Sequence, residues 1–165
     1  MVGHRFACDA MLGPLSRWLR FAGFDTLFDP NLKGLELPDL ARAEDRWLLT
    51  TDRELASRAG PRVLLVPTTS LENQCLLVKE RLALTLDPRS FFSRCSRCNG
   101  SVEPVAREMV VHLVPPFVAA RATRFSRCRM CGRLYWPGTH HEKILDRLRK
   151  LFSSASGSAQ DHSQR

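Results

Sequence analysis

No apolar run in this chain reaches membrane-spanning length. The longest, Val110 to Ala120, is broken by His112, Pro115 and Pro116 and falls short of the ~20 residues a bilayer crossing needs. The opening segment, MVGHRFACDAMLG, has neither the apolar stretch nor the small-residue cleavage site of a secretory signal, so a cytosolic protein is expected. Glycine and proline are too few, at 9 and 10 of 165 residues, for a collagen-like or low-complexity chain. No internal repeat is visible. What remains is an ordinary globular composition, 44% hydrophobic and 25% charged, of a size for one domain or for one domain with a small appendage.

Acid is scarce in one half only. Residues 1–88 hold eleven Lys and Arg against twelve Asp and Glu, net −1, whereas residues 89–165 hold fourteen against five, net +9. The basic excess is mostly Arg, and a one-sided field of this kind suits a polyanion, although a solvated basic face would read the same way. Guanidinium forks bind phosphate and aromatic faces stack on unpaired bases. Arg121, Arg124, Arg127, Arg129, Arg133 and Trp136 are therefore the candidate nucleic-acid contacts.

The acidic half alternates short apolar runs with helical periodicity. Strands are expected at Arg5–Cys8, Thr26–Phe28, Trp47–Thr50 and Arg62–Val66, and helices at Leu15–Ala22, Pro38–Glu44, from Thr51, and at Ser70–Leu82. In the first helix Leu15, Trp18, Leu19 and Ala22 form the apolar face, Arg17 and Arg20 fall opposite, and Gly23 ends it. A βαβαβαβα order implies a parallel sheet covered on both faces. After Pro88 the pattern changes, so an α/β domain is expected over 1–88 and a small second unit over 89–152. That unit would close with a helix N-capped by Thr139 with Glu142 in a capping box. Residues 153–165 read as a disordered tail.

Two cysteine pairs, Cys95-Ser-Arg-Cys98 and Cys128-Arg-Met-Cys131, have the spacing that lets a tight turn aim two sulfurs at one ion. Gly100 and Gly132 follow them, where positive φ would turn backbone N–H groups toward sulfur. Structural Zn²⁺ with four thiolates is the reading favoured over redox dithiols or disulfides, and such a site leaves no position for substrate. Cys8 and Cys75 read as plain buried thiols.

Acids at the ends of parallel strands lie where α/β folds place their sites. Asp9 follows the first strand with no evident local cap to make. Asp52 follows the third, where it fits a helix N-cap as well as a metal ligand, and Thr51 with Glu54 forms a capping box without it. Asp39 equally fits the first turn of its helix. Asp25, Glu44 and Asp45 read as solvated surface charges. Carboxylates so placed bind Mg²⁺ or Mn²⁺, which bridge to phosphate and need no protein nucleophile.

These pieces together resemble a known family. The stretches Asp9-Ala10-Met11-Leu12-Gly13, Arg17-Trp18-Leu19-Arg20, Gly23-Phe24-Asp25-Thr26, Leu49-Thr50-Thr51-Asp52-Arg53-Glu54-Leu55, Cys95…Cys98-Asn99-Gly100 and Cys131-Gly132…Tyr135-Trp136-Pro137-Gly138-Thr139-His140 are similar to the Mut-seven C-terminal RNase domain family. The resemblance implies a three-layer PIN-like fold with a parallel central sheet, followed by a zinc ribbon. It also implies metal-dependent ribonuclease activity. Carried across, Asp9 matches the acid after the first strand, Asp52 the acid of the Thr-x-Asp element, Asp39 an intermediate helix acid and Glu54 an accessory acid. The family tends to carry Arg directly before that second Asp, and this chain carries Thr51. The expectation is an RNA-cleaving hydrolase with Mg²⁺ or Mn²⁺ at the acids and zinc at the cysteines. The alternative is a non-catalytic RNA-binding zinc-ribbon protein on a degenerate PIN-like scaffold.

Overall fold

The computed structural model describes residues 4–32 and 36–152. The tail expected to be disordered lies outside them. In the α/β half, strands β1 (Arg5–Cys8), β2 (Asp25–Phe28), β3 (Trp47–Thr50) and β4 (Val63–Leu65) pair in parallel in the order β2-β1-β3-β4. Helices α1 (Gly13–Phe21), α2 (Glu36–Ala43), α3 (Arg53–Arg58) and α4 (Leu71–Arg81) connect and follow them.

Successive strand residues point to opposite faces, and each face has its own core. Phe6 and Cys8 of β1, Leu49 of β3 and Leu64 of β4 enter one, with Leu15 and Leu19 of α1 and Cys75 and Val78 of α4. Ala7, Leu48 and Val63 enter the other, with Leu37 and Ala41 of α2 and Leu55 of α3. This is the three-layer arrangement that runs of buried β residues between amphipathic helices require. Because α1 covers one face and α2 the other, the winding reverses between β1 and β3, and the carboxyl ends of those two strands flank the reversal.

Local chemistry sets the element ends. Pro14 opens α1, and Gly23, at φ +92°, closes it. A Cβ at Gly23 would collide with the Ser90 carbonyl, so glycine there serves both the turn and the approach of the segment leading to the ribbon. The Ser70 hydroxyl caps α4 by accepting from the Asn73 N–H. The helix expected at Pro38 begins two residues earlier, at Glu36. Arg17 is exposed as anticipated, but Arg20, expected on the same solvent side, is buried at 4% exposure because the ribbon docks over that end of α1.

The basic half forms a second sheet, β5 (Val102–Val105), β6 (Phe125–Cys128) and β7 (Leu134–Tyr135), antiparallel in that order. Short 3-10 turns and α5 (Pro116–Arg121) bridge β5 to β6 and pack Val110 and Val118 on Phe125. Helix α6 (Thr139–Leu151) starts from an extended Gly138 with no side-chain cap, so the capping box expected from Thr139 and Glu142 does not form. That helix returns to the α/β half. Leu148, Leu151 and Phe152 enter the first core, Lys79 Nζ donates to the Phe152 carbonyl at 2.7 Å, and Arg147 lies over the Trp18 ring.

Candidate active site and metal centre

Asp9 is the first residue beyond β1, and its backbone N–H still pairs with the Leu49 carbonyl of β3. Contrary to the expectation that it lacks a local role, it caps the 3-10 turn Ala10–Leu12, with Oδ1 accepting from the Met11 N–H at 3.0 Å. The turn was not legible because the helix signal at Gly13-Pro14 begins only after it. Oδ2 accepts from Thr50 Oγ1 and from the Thr51 N–H, each at 2.6 Å, and from Thr51 Oγ1 at 3.3 Å. At 9% exposure, the carboxylate is held at a fixed angle by donors from both strand ends.

Thr50 Oγ1 also accepts from the Asp52 N–H at 3.0 Å. One buried hydroxyl thus links the Asp9 carboxylate to the backbone of Asp52. The Asp52 side chain is the N-cap of α3, with Oδ1 accepting from the Glu54 and Leu55 N–H groups at 2.8 and 3.1 Å. The Thr51 and Glu54 capping box gives way to it. Among the described residues no partner is seen for Asp52 Oδ2, which stands at the exposed edge.

The side chains of the other two acids are engaged in exposed ion pairs. Asp39, in the first turn of α2, meets Arg42 at 2.9 Å, and Glu54, in the first turn of α3, meets Arg58 at 2.8 Å. Among the described residues no three carboxylates bring oxygens within 4.8 Å of one another. The group of possible ligands that meets that criterion is Cys95, Cys98, Cys128 and Cys131.

That cluster has the dimensions of a metal centre. A tetrahedron with Zn–S bonds near 2.3 Å sets sulfurs ~3.8 Å apart. Here Cys95 and Cys131 are 3.7 Å apart and Cys98 and Cys128 3.4 Å, well outside disulfide length. Burial works against ionising Cys95, but the Tyr135 hydroxyl 3.0 Å away and the N–H groups of Cys98 and Arg97 outweigh it and bring the thiol down to about 6. Burial and the neighbouring thiols push Cys98 up to about 12. Crowded sulfurs cannot all ionise unaided, and a divalent ion among them removes the conflict. The cluster could hold a zinc ion.

The knuckle turns differ from the expected use of glycine. Positive φ falls on Asn99 in the first and Gly132 in the second. Gly100 serves another purpose, since a Cβ there would lie 2.9 Å from Cys128 Sγ.

The ribbon attaches through a polar network that the sequence did not reveal. Asp25, expected on the surface, accepts from Arg46 Nη1 and Asn99 Nδ2, each at 2.7 Å, and meets Arg5 at 3.3 Å and Arg94 at 3.7 Å. Arg46, 6% exposed, also meets Glu44 at 2.7 Å. Burial alone would raise the Asp25 carboxyl; hydrogen bonds from Arg46 and Asn99 and the charges of Arg46 and Arg94 outweigh it and hold it down at about 2. Asn99 Oδ1 returns to accept from the Thr26 N–H, tying the first knuckle to β2.

Arg121, Arg124, Arg127, Arg129 and Arg133 are exposed, and Arg129 meets Glu103 at 3.2 Å. Arg127, Arg129, Met130 and Gly132 help line an open cavity of about 580 Å³ beside the second knuckle. Trp136 is half-buried on the Val110, Val118 and Phe125 cluster.

The model of the Mut7-C RNAse domain matches residues 4–148, nearly the whole chain. The chain belongs to this family. Both strand-end acids, all four cysteines and the Asp25 network lie within the Mut7-C RNAse domain. The family suggests a nuclease. No curated protein and no solved structure matches the chain. Among the described residues, no helix is long and apolar enough to cross a membrane.

Proposed function

We propose that this chain is a metal-dependent ribonuclease that hydrolyses RNA phosphodiesters at the carboxyl ends of β1 and β3. The supporting observation is that the Asp9 carboxylate and the Asp52 backbone N–H share the Thr50 hydroxyl, which sets both residues beside the point where the sheet's winding reverses. Mg²⁺ is commonly held by one or two carboxylates, with waters and substrate phosphate completing its shell. Two acids at one edge fit that demand. When bound, Mg²⁺ or Mn²⁺ supplies a water of lowered pKa and neutralises charge developing on the phosphate.

The protein's own part is positioning. Thr50 and Thr51 fix Asp9 Oδ2, the Met11 N–H fixes Oδ1, and the helix cap uses Asp52 Oδ1 alone. The exposed pairs of Asp39 and Glu54 are worth only ~0.3–0.5 kcal/mol each. They do not tie those carboxylates down as accessory ligands. Zinc at the cysteines shapes the ribbon, and the exposed arginines hold the RNA backbone.

One observation favours the non-catalytic RNA-binding reading. Asp9 already accepts from four protein donors, and no three acids are gathered among the described residues. Incubating zinc-loaded protein with single-stranded and structured RNA, with and without Mn²⁺, separates the two. Mn²⁺-dependent cleavage supports the nuclease, and salt-sensitive binding without cleavage supports the RNA-binding scaffold.

A further inference from the structure

Arg20 is buried at 4% exposure in the last turn of α1. Its Nε donates to the Thr26 carbonyl at 2.9 Å, and its Nη1 to the carbonyls of Ser96 and Arg97 at 3.2 and 3.1 Å. Ser96 and Arg97 are the two residues between Cys95 and Cys98. Among the described residues no carboxylate lies in ion-pair range of Arg20. The acid nearest in charge terms, Asp25, is taken up by Arg46, Arg5 and Arg94. A guanidinium this deep whose hydrogen-bond partners are all carbonyls has no ion-pair partner in contact, and a buried cation without one is costly.

The missing charge lies just beyond those carbonyls. Four thiolates on one divalent ion leave two negative charges in excess, and the two carbonyls that Arg20 holds belong to the residues between Cys95 and Cys98. We propose that Arg20 is the counter-charge of the four-thiolate zinc centre, so that zinc binding and the docking of the ribbon on the nuclease sheet are one coupled event. This rests on zinc at the four cysteines and not on the acids of the proposed active site. An arginine suits the position because its fork reaches β2 and the knuckle together while remaining ionised. By pinning the Ser96 and Arg97 carbonyls it also holds the knuckle turn whose N–H groups face Cys95 sulfur. Coupling of this kind is reciprocal, and whatever strengthens docking strengthens zinc binding.

The test is zinc affinity of the full chain by competition with a fluorescent chelator. It compares wild type, Arg20→Gln, Arg20→Lys and, as an uncharged interface control, Phe92→Ala, which removes the edge contact of Phe92 with Phe21. Loss of a partner just outside a metal's ligand shell weakens affinity by about 10–100-fold, and Arg20→Gln is expected in that range. Arg20→Lys, which keeps the charge, stays within about 3-fold of wild type, and Phe92→Ala, which loosens the docked face without touching the charge, weakens zinc binding less than Arg20→Gln does. In the cobalt-substituted protein, read at saturating metal so that the fold is held, the sulfur-to-cobalt charge-transfer band shifts to lower energy in Arg20→Gln and not in Arg20→Lys. Unchanged affinity and band in Arg20→Gln would overturn the proposal, as would equal weakening in all three variants. A wild type that binds no zinc refutes the zinc reading itself, and the proposal falls with it.

Discussion

Thr50 Oγ1 donates to Asp9 Oδ2 at 2.6 Å and accepts from the Asp52 N–H at 3.0 Å, joining the ends of two adjacent parallel strands through one fully buried hydroxyl. A β-branched residue suits the last position of a central strand. Only the hydroxyl, however, lets that position orient the Asp9 carboxylate while holding the backbone of Asp52.

Thr50→Val keeps the shape and removes this bridge. Leaving the Asp52 N–H and one Asp9 oxygen short of a partner costs about 1–3 kcal/mol, measurable by urea unfolding. Cleavage should fall as well, because Asp9 Oδ2 then keeps only its Thr51 donors and is held less firmly while the acid remains present.

The Asp25 network predicts acid sensitivity with a defined sign. An ordinary carboxyl near 3.8 is held at about 2 here, so its stabilisation is fully present above the unfolded value and is lost as pH falls through the folded one. Thermal melts between pH 5 and pH 2 should show wild type losing stability in that window. Asp25→Asn should start lower, by about 3 kcal/mol for a broken buried pair, and lose less.

How much of this was legible follows from the range of each interaction. The strands and helices could be read because Phe6, Leu49, Leu15 and Leu19 obey periods set by local backbone geometry. The cysteine pairs could be read because ligand spacing is local too. The roles of Asp25 and Arg20 could not, since the partners that decide them, Arg46, Asn99, Ser96 and Arg97, lie 21 to 77 residues away. A buried arginine on an amphipathic helix reads as a solvent-face arginine until the covering element is in place. Its strand-end position marks Asp9, but the stronger helix start beside it hides its cap on Ala10–Leu12.

Gly100→Ala should lower zinc content measured by elemental analysis. The new Cβ would lie 2.9 Å from Cys128 Sγ and from Met130 side-chain atoms, so the second knuckle must shift. Far-ultraviolet circular dichroism should retain the helical signal of the α/β half, whose cores do not include the knuckle.

The basic ribbon predicts a salt signature. If Arg127 and Arg129 contact phosphate, replacing both with Ala lowers the slope of log K against log salt for single-stranded RNA by about 0.7 per lost contact. Fluorescence anisotropy at several salt concentrations measures it.

Asp52→Asn tests the central claim most directly. Asn caps a helix as well as Asp does, so the variant keeps the bonds to Glu54 and Leu55 and removes only the charge, whereas Asn at position 9 would set an amide against the Thr51 N–H. The measurement is the rate of RNA cleavage by zinc-loaded protein with Mn²⁺ added or omitted. The account predicts Mn²⁺-dependent cleavage by wild type and, at unchanged thermal stability, a loss on the order of 100-fold in Asp52→Asn. Equal rates for the two proteins, or no cleavage by wild type with Mn²⁺, would contradict it.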